Sequence, residues 1–179
     1  ILARGAADLS LATEVMIRPD GRDPLCPPVP WNGPRLDDPI PVAVTKESYG
    51  YPIHDDILKM IDQAAEALQD AGYQVVEVAT PSIDEPFRDW FRTLITEMKV
   101  GLLPQIVEHG SEDIKTTFDY FFQMGEVLEL DEFIIDFGDR TRMMRDWNLF
   151  LSEFPLVLTP IYMNRLYDWD YDLQSFEAC

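Results

Sequence analysis

The sequence predicts an α/β chain: a partial mixed β-sheet covered by helices, with a β-α-β unit and a mostly helical insert. Three observations carry this. Residues 41–80 read as strand, amphipathic helix, strand. Residues 86–153 place apolar side chains at intervals of three and four and contain few helix breakers. Leu156, Val157 and Leu158, set between Pro155 and Pro160, return to a short apolar run of strand type.

From the start, residues 5–17 predict a helix. Leu9, Ala12 and Met16 fall on one face, and Leu11 and Val15 widen it. Gly5 is the predicted N-cap, and Asp8 then lies in the first turn, near the positive end of the helix dipole. Pro19, Asp20 and Gly21 end the helix. Pro24, Pro27, Pro28, Pro30, Pro34, Pro39 and Pro41 make the rest of residues 5–41 an extended crossover, with Trp31 its expected anchor.

Val42, Ala43 and Val44 form a buried strand. Asp55 is the predicted cap of the next helix, on which Ile57, Ile61, Ala64, Leu68 and Ala71 share a face and which Gly72 stops. The stretch YQVVEVAT is the second strand. A helix between two strands requires a parallel pair and a right-handed crossover. Helices are then expected over residues 86–108, 111–128 and 131–153, with Ser111 and Asp131 at two of the starts. Their aromatics, among them Phe87, Trp90, Phe118, Phe133, Phe137, Trp147 and Phe150, are expected mostly in the core, since each buries a large area. Residues 155–179 hold the last strand and an aromatic, acidic tail.

Composition narrows the function. The chain has 179 residues, 46% hydrophobic and 26% charged, which fits a folded chain and not a disordered one. No apolar run is long enough to span a membrane as a helix. A net charge of −19 repels phosphate backbones, so nucleic acid is not an expected partner. Two cysteines, Cys26 and Cys179, make neither a disulfide framework nor a familiar zinc site, which points to the reducing cytoplasm. His54 and His109 are the only histidines, and neither lies in a metal-binding helix pattern. No cofactor and no metal are expected.

Recognised catalytic patterns are missing. There is no glycine-rich dinucleotide loop, no P-loop, no EF-hand and no G-x-S-x-G turn. Asp168, Asp170 and Asp172 read as a solvated acidic turn, because the glycine and closing glutamate of a calcium loop are absent. Lys46 follows a strand, a usual place for functional groups, but it has no evident chemical partner in the sequence.

The order of motifs says more. LARGAADLSLATEVM followed by PDGRDP resembles the L-A-R-[ST]-x-x-D helix and P-D-x-x-D-P turn of amidase-signature hydrolases. Gly5 stands where that family usually has serine or threonine, and Asp8 keeps its place. The proline-rich crossover with its tryptophan, PPVPWNGP, and the strand PVAV follow in the family's order. Ala64, Ala65, Leu68, Ala71, Gly72, Tyr73, Val75 and Val78 fit A-A-x-x-L-x-x-A-G-[YH]-x-V-x-x-V. LVLTP resembles the family's later strand, with Pro160 on its proline. The likeness covers residues 2–160.

The resemblance implies a single segment, 1–179, of a larger amidase-signature domain. It implies hydrolysis of a carboxamide C–N bond by a serine nucleophile, a bridging serine and a lysine base. No serine-rich glycine loop occurs in the sequence, so no catalytic residue is assigned, and this segment alone is expected to be inactive. Its expected roles are scaffold and one wall of the substrate funnel, with the variable helices setting substrate choice. Thr159, Ile161 and Tyr162 are the candidate substrate-binding residues, because ligands gather beyond strand carboxyl ends. The expected partner is a small-molecule amide, and exposed strand edges imply possible homo-oligomers. Two other readings stay open: a non-catalytic α/β interaction domain, and a subunit of a glutamine-dependent amidotransferase.

Overall fold

The chain divides into two compact units, Ile1–Asp38 and Pro39–Cys179. The computed structural model describes residues 1–26 and 32–179. Trp31 and the prolines at 27, 28 and 30 lie outside the described residues.

The first unit holds one helix, α1 (Ala6–Met16). Gly5 caps it in extended conformation and Asp8 sits in its first turn, as predicted. The predicted apolar face is not buried: Leu9, Leu11, Val15 and Met16 are all exposed. Among the described residues of this unit, no second helix or strand offers it a partner.

In the second unit, β1 (Pro41–Val44) forms the centre of a sheet between β2 (Gln74–Glu77) and β3 (Leu156–Leu158). The order is β2-β1-β3 and both pairings are parallel, with Ala43 opposite Val76 on one side and Val157 on the other. A parallel strand flanked on both sides reads as a continuous apolar run, and Val42, Ala43 and Val44 are all buried.

The crossover between β1 and β2 is α2 (Asp55–Asp70). Its cap is His54, not Asp55: the imidazole Nδ1 accepts the Asp56 N–H at 3.1 Å. Asp55 starts the helix instead and acts through the dipole. The C-terminus is a Schellman arrangement. Tyr73 N–H donates to the Leu68 carbonyl and Gly72 N–H to the Gln69 carbonyl, with Gly72 at φ 94°. Gly72→Ala is therefore expected to lower stability by about 1–2 kcal/mol, and Gly72→Asn by less, in urea unfolding.

The helical layer comprises α3 (Asp84–Gly101), α4 (Leu103–His109), α5 (Glu112–Met124) and α6 (Leu130–Glu153). The single helix predicted over 86–108 is interrupted at Leu102, where Gly101 ends one helix and Pro104 sits in the first turn of the next. Ser111 caps α5 as predicted, accepting from Ile114 N–H at 3.4 Å. That helix stops at Met124, short of Leu128, with Gly125 as its C-cap. The α6 cap is a reciprocal pair, Glu129 and Glu132, rather than Asp131. A second core forms here around Ile95, Phe118, Leu128 and Met143. The acidic tail contains a short turn of 3₁₀ helix, Tyr171–Leu173, beside α5.

Candidate functional site

Two concavities are candidates. The larger is a groove of about 560 Å³ between α3 and α6. It arises from helical spacing. Asp89, Trp90, Thr93, Leu94 and Glu97 repeat along α3, and Phe133, Asp136, Phe137, Arg140, Met143, Met144 and Trp147 along α6. The volume lies in the range of small-molecule pockets, and the mix of aromatic walls with a few charged groups is typical of them. Two aromatics expected in the core are therefore exposed here: Trp90 at 55% and Phe137 at 61%. They line the groove instead of filling the space between helices.

Charged residues in the wall and behind it link the two helices. Asp89 is buried, and its Oδ1 accepts from the Arg88 Nε and terminal nitrogen at 3.1 and 3.0 Å. That contact raises the Arg88 pKa, so the guanidinium holds its charge more firmly. Arg92 reaches Asp136 at 3.3 Å and Glu126 at 3.4 Å, tying α3 to α6 and to the turn before it. Arg142 of α6 binds Glu85 of α3 directly, and the Trp147 indole N–H donates to the Ser82 carbonyl at 3.4 Å. Carboxylate oxygens of Glu85, Asp89 and Asp139 lie within 4.8 Å of one another, a spacing suited to a divalent ion. Arg142 lies within 4.0 Å of Glu85 and Asp139, and Arg88 binds Asp89, so arginine already compensates this charge.

The smaller concavity, about 350 Å³, lies at the carboxyl ends of β1 and β2, lined by Thr45, Lys46, Glu47 and Glu77 among others. Lys46 is committed to Asp62 at 2.5 Å, and that carboxylate raises its pKa further. Such a lysine is the opposite of a general base, which needs its neutral form. Tyr49 sits at φ 49° in the turn beyond β1 and donates its hydroxyl to Glu47 at 2.8 Å.

Thr159 directly follows β3 and is half-buried, Ile161 is fully exposed, and Tyr162 stacks edge-on against Tyr167. The chain beyond them is fastened to α2. His54 N–H donates to the Met163 carbonyl at 2.8 Å, and Arg165 binds Asp56 through its Nε at 3.1 Å and its terminal nitrogen. Sequence reasoning named none of the groove's charged residues. The signal was present, however: Asp89, Glu97, Asp136 and Arg140 interrupt apolar stripes at helical spacing, where a closed core would carry leucine or isoleucine.

In the first unit, each aspartate of PDGRDP closes an Asx turn. Asp20 Oδ1 accepts the Arg22 N–H at 2.9 Å, and Asp23 Oδ1 accepts the Leu25 N–H at 3.0 Å. The Arg22 guanidinium holds the Asp20 carboxyl down at about 2.

The described structure is thus an α/β chain with a parallel sheet, a helical layer and a ligand-sized aromatic groove. A sequence model of the amidase family matches residues 1–166, and the chain belongs to that family. It is 33% identical over 159 residues to an indoleacetamide hydrolase of Bradyrhizobium japonicum, covering 89% of this chain and 34% of that protein. A second indoleacetamide hydrolase, from Bradyrhizobium diazoefficiens, is 32% identical over the same length, 89% of this chain and 30% of that protein. The chain therefore spans about a third of the length of these curated relatives.

Proposed function

We propose that this chain is the substrate-wall segment of an amide hydrolase acting on small aryl-substituted primary amides. The carrying observation is the α3–α6 groove, whose aromatic and methionine walls suit a flat apolar ring system. Both relatives named above are indoleacetamide hydrolases, which supports an indole-sized ring as occupant.

In this reading the chemistry is that of the family resemblance. A serine Oγ attacks the amide carbon as its proton passes through the bridging serine to a neutral lysine, that proton returns to the nitrogen that leaves as ammonia, and water then releases the carboxylate and restores the serine. The triad lies outside this segment, so the 179 residues alone are inactive. Thr159, Ile161 and Tyr162 border the substrate beyond β3. The protein works on a small soluble amide in the cytoplasm, without nucleic acid or membrane as partner.

The test is ammonia release from indole-3-acetamide by the full-length protein. Phe137→Ala is expected to raise KM about tenfold with kcat little changed, because a lost aryl contact in a hydrophobic pocket removes binding common to ground and transition states. No hydrolysis of any aryl amide, or an unchanged KM in Phe137→Ala, counts against the reading.

A further inference from the structure

The junction between the tail and α2 is built on a histidine in one protonation state. His54 Nδ1 accepts the Asp56 N–H, which requires that nitrogen to carry no proton. The same residue's N–H holds the Met163 carbonyl, and Asp56, freed from bonding the imidazole, binds Arg165. The charged groups around the ring are Asp56 and Lys59 of α2, with Asp55 next in sequence, and Arg165 of the tail. Asp56 Oδ2 stands 3.7 Å from Nδ1, close enough to become its partner once the ring is charged.

We propose that His54 is a proton-sensitive positioning residue: neutral, it fastens residues 161–165 to the start of α2; charged, it releases them. Protonation turns Nδ1 from acceptor to donor. The Asp56 N–H then loses its cap, and a positive ring sits at the positive end of the α2 dipole. The ring draws on Asp56 Oδ2, the same oxygen that Arg165 uses, so the two cations compete for one carboxylate. Thr159, Ile161 and Tyr162 lie between β3 and this fastening. Their role toward substrate rests on the function proposed above, whereas the fastening itself does not.

The experiment is hydrogen exchange of the full-length protein at pH 7.5 and 5.5, with rates corrected for the intrinsic pH dependence. Protection of the residue 54 and 56 amides is expected to fall about five- to tenfold at the lower pH, the scale of a lost helix cap. His54→Asn, which caps in every protonation state, is expected to be flat over the same range. Asp56→Asn, which removes the Arg165 partner, is expected to expose residues 161–165 at both pH values. Equal protection of the wild type at both pH values overturns the proposal, and so does the same fall in His54→Asn. The expected fall in a protein that hydrolyses no amide leaves the device standing and removes only the functional reading.

Discussion

Ile95→Ala is expected to lower the unfolding free energy by about 3–4 kcal/mol, with the urea m-value unchanged. Ile95 has no exposed surface. It packs against bare backbone: a methyl built on Gly125, the C-cap of α5, would overlap its Cγ1. One residue on, the Thr96 hydroxyl accepts the Leu128 N–H at 2.9 Å, and Leu128 is itself buried. A close packing contact and a hydrogen bond thus join the Arg92–Glu126 ion pair in fixing the turn between α5 and α6 to α3. A cavity walled by backbone relaxes less than one walled by side chains, so the loss belongs in the upper part of the range for such truncations. Gly125→Ala overpacks the same point and is expected to cost about 1–3 kcal/mol. The two changes should not add. The new methyl in Gly125→Ala occupies part of the space that Ile95→Ala empties, so the double variant should be more stable than the sum of losses by about 1 kcal/mol. Strict additivity would show that the two groups do not meet.

This contact also shows what sequence could and could not reveal. The β-α-β unit was legible because its signals are local. Val42, Ala43 and Val44 sit between a proline and a polar end, and Gly72 supplies the one positive φ that the Schellman turn requires. The capping role of Ser111 was legible for the same reason. The cap of α2 was not. Asp55 and His54 are both plausible, and the tail, more than a hundred residues further on, holds His54 in place through Met163. The break at Leu102 was carried by Gly101 and Pro104, but a proline in a first helical turn looks the same as one inside a longer helix until the chain direction is known. The groove was least legible. Each stripe on α3 and α6 reads as a core face with a few misplaced charges. Only when the two stripes face each other do Asp89 and Asp136 stand as wall groups, supported from behind by arginine. The fate of Phe137 depends on whether the facing helix closes on it, and no periodicity in α6 alone records that.

Arg92→Met is the sharper test of how that groove is held open, with an expected loss of about 3 kcal/mol. Arg92 and Asp136 keep only 23% and 11% of their side-chain surface exposed, and neither the Arg92 Nε nor the Asp136 Oδ2 makes a hydrogen bond. Such a pair is poorly compensated even when intact, so its net worth against an apolar replacement is small. Removing the cation alone is another matter, because it leaves a carboxylate enclosed between α3 and α6 with no counter-charge. The lower end of the range for breaking a buried pair applies, since Arg92 is not fully enclosed. Arg92→Met combined with Asp136→Leu takes both charges away, and the double variant is expected to recover at least 1 kcal/mol of the loss, read from urea unfolding. Glu126, the other partner of the same guanidinium, is 66% exposed, and Glu126→Gln is expected to cost less than about 0.5 kcal/mol. Removing the cation that faces the enclosed carboxylate and removing the exposed carboxylate at nearly equal distance should therefore differ severalfold in effect, and the difference follows from burial. Equal losses for Glu126→Gln and Arg92→Met, or a double variant no better than the single, would place the network's contribution in solvent rather than in the wall of the groove.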